Sequence, residues 1–379
     1  MQIDFASSPR STVGVEWELM LLDRMTGELS SSGPEVLARL HESGSTVGIT
    51  GELLTNTIEV MSDPRARVED AIGDIRHRIA SVNGALDEGV ALLTAGSHPF
   101  AQWYRQSITD RSRYHKLIER TQWWGRNMMI WGAHVHVGVD DRAKVLPIIG
   151  ELLTYLPHLL ALSSSSPFWA GERTGYASNR SLVFQQLPTA GVPWALSDWD
   201  AFERYLEDMV RTGIMEDVTE VRWDIRPAPR WGTIEVRVCD AVATTLELGA
   251  LAAFTQCLVE WTSRRIDAGE TLTPLPVWFW RENKWRAARY GLDTEVIVAP
   301  DGTQAPVRDD IDRLLTVLAP IASDLGCERE LADVGVILER GPGWLRQVNV
   351  ATAAGDDLHA VVAHLVDEFV AEEPLSPSV

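Results

Sequence analysis

Apolar and polar residues alternate along five short segments, a pattern typical of strands that bury one face. The clearest segment is "MMIWGAHVHVGVD" at 128–140. Alternate residues from Met129 to Val139 are apolar there, and the intervening positions carry His134 and His136 between glycines. The same alternation predicts strands over 12–22, 55–61, 221–227 and 233–240.

The polar faces of these predicted strands are rich in acidic, imidazole and guanidinium side chains. They carry Glu16 and Glu18 in 12–22, Glu59 in 55–61, His134 and His136 in 128–140, Arg226 in 221–227, and Glu235 and Arg237 in 233–240. Glu52 comes from the turn just before the second segment. If the five segments pair, these side chains share one face of a sheet.

Apolar residues at helical spacing predict helices over 64–93, 242–266, 308–324 and 356–371. Strands mixed with long helices indicate an α+β fold with a mainly antiparallel sheet. No Pro/Gly/Ser-rich linker divides the chain, so we expect a single catalytic domain over 1–379. The last residues, from about 372 to 379, are expected to be a disordered tail.

Charge and cysteine content exclude several classes of protein. The net charge of −20 would repel a phosphate backbone, which argues against binding to nucleic acid. Three scattered cysteines, Cys239, Cys257 and Cys327, provide neither a disulfide framework nor a cysteine metal site. We find no signal-peptide pattern at the N-terminus and no apolar run near membrane-spanning length, so we expect a reducing, cytoplasmic setting without a membrane partner.

The polar faces have two interpretations. An antiparallel sheet often keeps one face in water, and its polar residues are then simply solvated. However, lysine is absent from all five segments, and glycines stand among the charged residues, as at a site that a ligand approaches closely.

The second interpretation is a metal–nucleotide site. Five glutamates on one concave face would repel one another, and hard divalent ions such as Mg²⁺ or Mn²⁺ would relieve that repulsion. Arg237 lies two residues after Glu235 on the same face, where a guanidinium suits a transferring phosphoryl group. The chain has neither a P-loop nor a dinucleotide-binding glycine motif, so any nucleotide is bound in another way.

At these residues the chain resembles the glutamate–cysteine ligase type 2 family, also called YbdK-like carboxylate–amine ligases. The resemblance extends from about Thr12 to about Asn349. It lies in "GVEWEL", "GELLTNTIEV", "AGSHPF", "GAHVHVGV", "SSSSPFWAGERTGYASNRSLVFQQLPTAG", "WDIRPAPRWGTIEVRVCD", "ENKWRAARYGLD" and "GPGWLRQ". Many pieces in the same order are more specific than any one of them.

The resemblance implies a glutamine-synthetase-like catalytic fold, in which a curved antiparallel sheet flanked by helices forms a funnel. It also implies that ATP phosphorylates the γ-carboxylate of glutamate and that an amine, typically cysteine, displaces the phosphate. Carried over to this chain, the metal ligands are Glu16, Glu18, Glu52, Glu59, His134 and Glu235. Arg237 becomes the phosphate contact and, with Glu235, the catalytic pair.

Other residues are expected to contact the substrates. His134 is preferred as the metal ligand, so His136 is expected either to face the substrate or to support the ligand shell. Arg180, in a loop rich in Gly and Ser, is expected to bind a substrate carboxylate, and Asn179 replaces the bulkier aromatic residue of many members, which affects the choice of amine. Arg226 is expected either to bind substrate or to form an ion pair with Asp224.

Two further features of the resemblance concern the nucleotide and the metal. Asn283 and Arg286 fall near one helical face and are expected to bind nucleotide, with a solvated helix face as the alternative. Trp17 replaces a third glutamate of many members, but it lies on the apolar face, so the metal ligands are expected to remain. His98 is expected to brace the turn before Pro99.

We therefore expect an ATP-dependent ligase that forms a γ-glutamyl amide from a glutamate-like acid and an amine, with ATP and Mg²⁺ as cofactors. The alternatives are a metal-dependent amide hydrolase, a non-catalytic binder of small molecules, and the same ligase acting on an amine other than cysteine. The chain is also compatible with a homo-oligomer.

Overall fold

A computed structural model describes residues 2–376 of the chain, and the fold is α+β, as the sequence predicts. The strands are β1 (Val13–Asp23), β2 (Ile49–Gly51), β3 (Thr57–Met61), β4 (Val90–Leu93), β5 (Ala133–Gly138), β6 (Phe168–Trp169), β7 (Glu172–Arg173), β8 (Ile225–Ala228), β9 (Thr233–Val236), β10 (Glu295–Ile297) and β11 (Gln304–Pro306).

Helices pack around these strands. They are α1 (Gly33–Glu42), α2 (Val68–Gly84), α3 (Ser112–Thr121), α4 (Trp123–Arg126), α5 (Val145–Ser163), α6 (Asn179–Phe184), α7 (Trp199–Arg211), α8 (Thr245–Asp267), α9 (Val277–Tyr290), α10 (Val307–Leu325), α11 (Glu328–Ala332), α12 (Val334–Arg340), α13 (Gly343–Ala353) and α14 (Leu358–Ala371).

The main sheet is antiparallel at every pairing that the structure describes. Its strand order is β2-β3-β1-β5-β9-β8, and β4 pairs with the second half of β1. The long strand β1 is therefore the centre of the sheet, with β3 and β5 as its neighbours. All five predicted strand segments contribute to this sheet, which confirms the mainly antiparallel prediction.

One face of the sheet lies on the hydrophobic core. Val13, Val15 and Trp17 of β1 and Val135 and Val137 of β5 are at most 1% exposed. Buried helices, among them α5 and α8, cover this face. Because the side chains of a strand alternate, the histidines and glutamates of the same strands point to the opposite face.

Four predicted elements are wrong in their bounds. The segments predicted over 128–140 and 221–227 are strands only over Ala133–Gly138 and Ile225–Ala228. The helix predicted over 64–93 ends at Gly84, and the apolar residues Val90–Leu93 form β4 instead. The polar stretch between them closes a turn in which Val90 N donates to Asp87 O at 2.9 Å. The strand predicted over 233–240 leaves the regular ladder after Val236, where Arg237 N donates to Asp224 O at 2.8 Å.

One helical stretch contradicts the expectation that no apolar run is long enough to cross a membrane. Arg142–Ser163, which contains α5, is by length and composition apolar enough to cross a membrane, with a mean hydropathy of 1.6. Its most apolar part is 89% buried inside the protein, as in the central helix of a core. Apolar residues on all sides hide the helical period, so the sequence pattern predicts no helix there.

The segment predicted to be a disordered tail is held in place as far as the structure describes it. Glu372 accepts from Thr245 Oγ1 at 3.0 Å, and Leu375 N donates to Glu368 Oε1 at 3.0 Å. Residues 377–379, the rest of that predicted tail, lie outside the described residues.

A buried ion cluster joins α13 to α8 and α14. Arg346 is 1% exposed; its Nε donates to Glu368 Oε1 at 2.6 Å, and its Nη2 lies 2.9 Å from Glu247 Oε1. Both carboxylates are fully buried. Arg346 in "GPGWLRQ" therefore stabilises the packing of three helices.

Replacing this arginine leaves two carboxylates without their cation in the core. We expect Arg346→Ala to lower the free energy of unfolding by about 3–5 kcal/mol, measured by urea denaturation. The control is Arg211→Ala, which removes an exposed ion pair with Asp208 and should cost at most about 1 kcal/mol. Equal losses in the two variants would contradict this role for Arg346.

Candidate active site

The register of the sheet brings the predicted ligands together on one face. Glu16 of β1 is paired with His134 of β5, and His136 of β5 is paired with Glu235 of β9. On the other side of β1, Glu18 is paired with Glu59 of β3. Directly paired side chains in an antiparallel sheet lie about 4.5–5.5 Å apart at Cβ, so the four strands build one continuous polar surface.

Glu16 lies between the two histidines. Its Oε2 is 3.0 Å from His134 Nδ1, and its Oε1 is 3.2 Å from His136 Nε2. Burial disfavours a charge on Glu16, but hydrogen bonds from both histidines outweigh it and lower the pKa of this carboxyl. Burial, with the charge of Arg237 beside it, lowers the pKa of His134 to about 4, so this imidazole is neutral and its lone pair is available to a metal at neutral pH.

Glu235 is fixed by two arginines. Arg226 Nε donates to its Oε2 at 2.7 Å, and Arg237 Nη1 donates to its Oε1. Burial disfavours the ionised form, but the charges of Arg226 and Arg237 outweigh it and lower the pKa of Glu235. The expected pair of Arg226 with Asp224 is wrong, because Asp224 accepts from the buried Lys284 Nζ at 2.8 Å.

The remaining glutamates are crowded by one another. Burial, together with the charge of Glu52, raises the pKa of Glu18 to about 7. Burial and the charges of Glu16, Glu52 and Glu18 raise the pKa of Glu59 well above its usual range. Without a cation, part of this cluster must therefore carry protons at neutral pH.

Two sets of side chains have the chemistry and spacing of a metal site. Glu16, Glu59 and His134 form one set, and Glu16, His136 and Glu235 form the other. In each set the possible ligand atoms lie within 4.8 Å of one another. His136 Nε2 is buried 3.2 Å from Glu16 Oε1 and 3.8 Å from Glu235 Oε2, while its Nδ1 is held 2.9 Å from Thr233 Oγ1. That arrangement leaves Nε2 as a ligand, so the residues fit divalent cations such as Mg²⁺ or Mn²⁺.

The sequence predicts that only one of the two histidines is a metal ligand, but the structure has one histidine in each set. His134 is placed as predicted, and His136, expected from the sequence to face the substrate or to support the ligand shell, has the position of a second metal ligand. Both imidazoles approach the shared Glu16 from β5.

Two adjoining cavities lie over this polar face. The smaller has a volume of about 210 Å³ and the larger about 880 Å³. Both are bordered by Glu18, Glu52, His134, Arg226 and Arg237. The larger also reaches Glu16 and Glu59, whereas the smaller has an apolar wall of Leu53, Leu54, Leu117, Met128, Ile130, Phe184 and Leu187.

Arg180 reaches the smaller cavity from α6 rather than from a loop. It is 3% exposed, and its Nη1 donates to Val238 O at 3.3 Å. Gly132 makes room for it, because a Cβ at this glycine would lie 2.1 Å from Arg180 Nη2. Its buried Nε has no hydrogen-bond partner among the described residues, so this N–H is free to bind an anion.

Three predicted site residues lie neither in the carboxylate cluster nor at the cavities. Asn283 is fully buried, and its side chain bonds both N–H and C=O of Ile297 at 2.8 Å. Arg286 donates to Glu282 Oε1 at 2.9 Å on the outer side of α9. Asn179 begins α6 but borders neither cavity. These positions do not support the predicted nucleotide role of Asn283 and Arg286, because Asn283 braces β10 and Arg286 binds Gln304 of β11.

Sequence reasoning missed several residues of the site. Tyr114 donates to Glu52 Oε2 at 3.1 Å, and Arg113 Nη2 lies 3.9 Å from Glu52 Oε1. Both come from α3, whose sequence carries no signal for the site. Arg222 lines both cavities, and its alternation with Arg226 on the same polar face is a signal that could have identified it. His98 braces its turn as predicted, with Nδ1 accepting from Ala101 N at 3.0 Å.

The carboxylates, imidazoles and guanidiniums of the antiparallel sheet border a cavity. Side chains of these types suit divalent cations beside a polyanion. The fold matches the glutamate–cysteine ligase of Francisella tularensis in complex with AMP, with a TM-score of 0.67 and 15% identity over 98% of this chain and 93% of that one. It also matches a bifunctional glutathione synthetase from Pasteurella multocida, with a TM-score of 0.69 and 16% identity over 95% of this chain and 52% of that one.

The chain belongs to glutamate–cysteine ligase family 2, whose family model matches residues 12–364. A relative in Leifsonia xyli subsp. xyli, named "Putative glutamate–cysteine ligase 2", is 54% identical over 371 residues, which are 97% of this chain and 98% of the relative. A relative of the same name in Mycobacterium tuberculosis is 50% identical over 370 residues, again 97% and 98% of the two chains. The family predicted from the sequence is thus confirmed.

The two sets of ligands predict how many metal ions the protein binds. We expect the protein to bind Mn²⁺ at both sets, and His134→Ala and His136→Ala each to abolish one of the two sites. Equilibrium dialysis with detection of free Mn²⁺ by electron paramagnetic resonance measures the number bound. His115→Ala, at an exposed histidine paired with Asp110, is the control. If one of the site variants binds as much Mn²⁺ as the control, the corresponding set is not a site.

The raised pKa values predict that cation binding releases protons and depends on pH. Burial and neighbouring carboxylates raise the pKa of Glu18 to about 7 and the pKa of Glu59 well above its usual range, whereas a bound cation favours the ionised forms. Binding should therefore release on the order of one proton per chain, and affinity should rise as the pH increases from 6 to 8. Calorimetry in two buffers of different ionisation enthalpy measures the release, and Glu59→Gln should reduce it. Identical heats in the two buffers would contradict the prediction.

Proposed function

We propose that the protein is an ATP-dependent carboxylate–amine ligase that forms a γ-glutamyl amide through an acyl phosphate. The observation that carries the proposal is the set of five glutamates and two histidines on one sheet face with Arg226 and Arg237 among them. The membership of glutamate–cysteine ligase family 2 supports it. No side chain in the cluster is placed as a covalent nucleophile, so catalysis rests on positioning and electrostatics.

The larger cavity suits the polyphosphate of a nucleotide. Besides Arg226 and Arg237 it is lined by Arg113, Lys116, Arg120 and Arg222. This concentration of cations stands out in a chain with a net charge of −20. Cations at the rim and carboxylates at the floor are the arrangement expected for phosphates bound through divalent ions.

The proposed cofactor is Mg²⁺, with Mn²⁺ as a substitute, held by Glu16, Glu59, His134, His136 and Glu235, with Glu18 and Glu52 beside them. When bound, it neutralises phosphate charge and orients the terminal phosphate. The contribution of the protein is a rigid frame, because Glu235 is clamped by Arg226 and Arg237, and His136 is oriented by Thr233.

Arg237 is placed to stabilise the transferring phosphoryl group. Its side chain is 16% exposed and borders both cavities, and its Nε has no hydrogen-bond partner among the described residues. Since Nη1 is engaged by Glu235, the guanidinium is fixed in orientation. A fixed cation that needs no reorganisation stabilises charge that develops during the reaction.

The smaller cavity suits the acid and the amine. Arg180 offers a buried, unpaired N–H for a carboxylate, and the apolar wall excludes water from a reactive acyl phosphate. That same wall, with Leu117, Met128 and Ile130, can pack an amine less polar than cysteine. The amine is therefore proposed as cysteine or a more apolar primary amine.

The proposal is tested with Mg²⁺, ATP, glutamate and hydroxylamine, because hydroxylamine traps an acyl phosphate as a coloured hydroxamate whatever the natural amine is. We expect ADP and γ-glutamyl hydroxamate in equal amounts. Arg237→Lys should lower the rate about 10²–10³-fold, whereas Arg286→Ala should not change it. Absence of both products, with hydroxylamine or with a panel of amines that includes cysteine, would overturn the proposal.

A further inference from the structure

Asp240 is a buried carboxylate close to the site that has no part in the chemistry described so far. It follows β9, forms a bridge with Gly132, and is fully buried. Its Oδ2 accepts from Ser165 N at 3.0 Å and from Ser166 Oγ at 2.7 Å, and its Oδ1 accepts from Ser178 Oγ at 2.8 Å. One side chain thus joins the end of the site strand to two separate segments of the chain.

The two hydroxyl groups that Asp240 binds define the start of α6. Ser178 is the N-cap of this helix, and its Oγ accepts from Ser181 N. Ser166 Oγ accepts from Arg180 N at 3.0 Å, and Ser166 O accepts from Asn179 N at 3.2 Å. Because α6 has only six residues, its own backbone bonds are too few to hold its position.

The helix that is fixed in this way carries two residues of the smaller cavity. Arg180 lies against Gly132, the bridge partner of Asp240, and donates to the carbonyl groups of Arg237 and Val238 at 3.4 and 3.3 Å. Phe184, at the end of α6, borders the same cavity and lies 5.8 Å from the Arg180 guanidinium.

The surroundings of Asp240 are built to admit the carboxylate. A Cβ at Gly96 would lie 2.5 Å from Asp240 Oδ2, so a larger residue at position 96 would displace it. Gly96 N donates to Ser165 Oγ at 2.8 Å, and Ser165 Oγ donates to Ala241 O at 2.7 Å. Two serines of "SSSS" therefore bind this side chain, Ser165 through its N–H and Ser166 through its hydroxyl.

We propose that Asp240 is a positioning residue for the carboxylate substrate: through Ser166 and Ser178 it holds α6 so that the guanidinium of Arg180 faces the smaller cavity. The inference rests on the proposed function, because it takes Arg180 as the group that binds the substrate carboxylate. It goes beyond that function in assigning the placement of Arg180 to a residue that touches neither substrate nor metal.

A carboxylate that merely stabilises the fold would behave differently, and the chain offers a matched control. Asp310 is also buried, and it accepts from His158 Nε2 at 2.8 Å and from Arg313 Nε at 2.6 Å. It borders neither cavity of the site. Asp240→Asn and Asp310→Asn each replace one oxygen of a buried, hydrogen-bonded carboxylate, so both are expected to lower the melting temperature.

The experiment compares the two variants in steady-state kinetics and in hydrogen–deuterium exchange of the full-length protein. We expect Asp240→Asn to raise the KM for glutamate about tenfold with a much smaller change in kcat, because binding in the ground state and in the transition state is lost together. Amide exchange over 178–187 should become at least tenfold faster. Asp310→Asn should leave both quantities within about twofold of the unmodified protein.

Arg180→Lys distinguishes the loss of a contact with the substrate from a change in the position of α6. It should raise the KM for glutamate as Asp240→Asn does, but leave amide exchange over 178–187 unchanged. Should Asp240→Asn fail to fold, Ser178→Ala removes one hydroxyl donor and should raise the KM about threefold and accelerate the same exchange.

Unchanged exchange over 178–187 and unchanged KM in Asp240→Asn, at a stability loss equal to that of Asp310→Asn, would overturn the inference. If the unmodified protein forms neither ADP nor hydroxamate, the proposed function fails. Amide exchange then still decides whether Asp240 holds α6, because it requires no turnover.

Discussion

Several carboxylates are crowded on one face of the sheet, and the rest of the structure has to offset the repulsion among them. Glu16, Glu18, Glu59 and Glu235 come from β1, β3 and β9, and none can move away without breaking the ladder. The chain relieves part of this repulsion with its own cations. Arg226 and Arg237 neutralise Glu235, the two histidines lower the pKa of Glu16, and Glu18 and Glu59 are left with raised pKa values. We propose that a divalent cation neutralises this residual charge.

The rest of the fold keeps this arrangement rigid. Trp17, Val135 and Ile234 face the core from the same strands, so any slip of register would exchange apolar and charged faces. Glycines on the polar face leave room where larger groups come close, as Gly132 does for Arg180. The buried side chain of Asp240 extends this frame to α6, which lies outside the sheet.

The sequence predicts the polar face well because strand alternation is a local property. Every residue of the cluster stands at the position that periodicity assigns, and Glu52 comes from the turn before β3 as predicted. Residues that reach the site from elsewhere carry no such signal: Tyr114 and Arg113 belong to a helix that is remote in sequence, and α5 hides its period because it is apolar on all sides. Asn283 and Arg286 share a helical face with charged neighbours, but tertiary packing turns Asn283 to β10 and Arg286 to Gln304 of β11.

We propose that the carboxylate cluster and Arg237 together transfer a phosphoryl group from ATP to a carboxylate. The most direct measurement uses glutamate labelled with ¹⁸O in its γ-carboxylate, with hydroxylamine or a productive amine as acceptor, and detects the label in inorganic phosphate by the isotope shift in its ³¹P resonance. Our account predicts that each phosphate released carries one oxygen from glutamate. Phosphate without label, or formation of AMP and pyrophosphate, would contradict it.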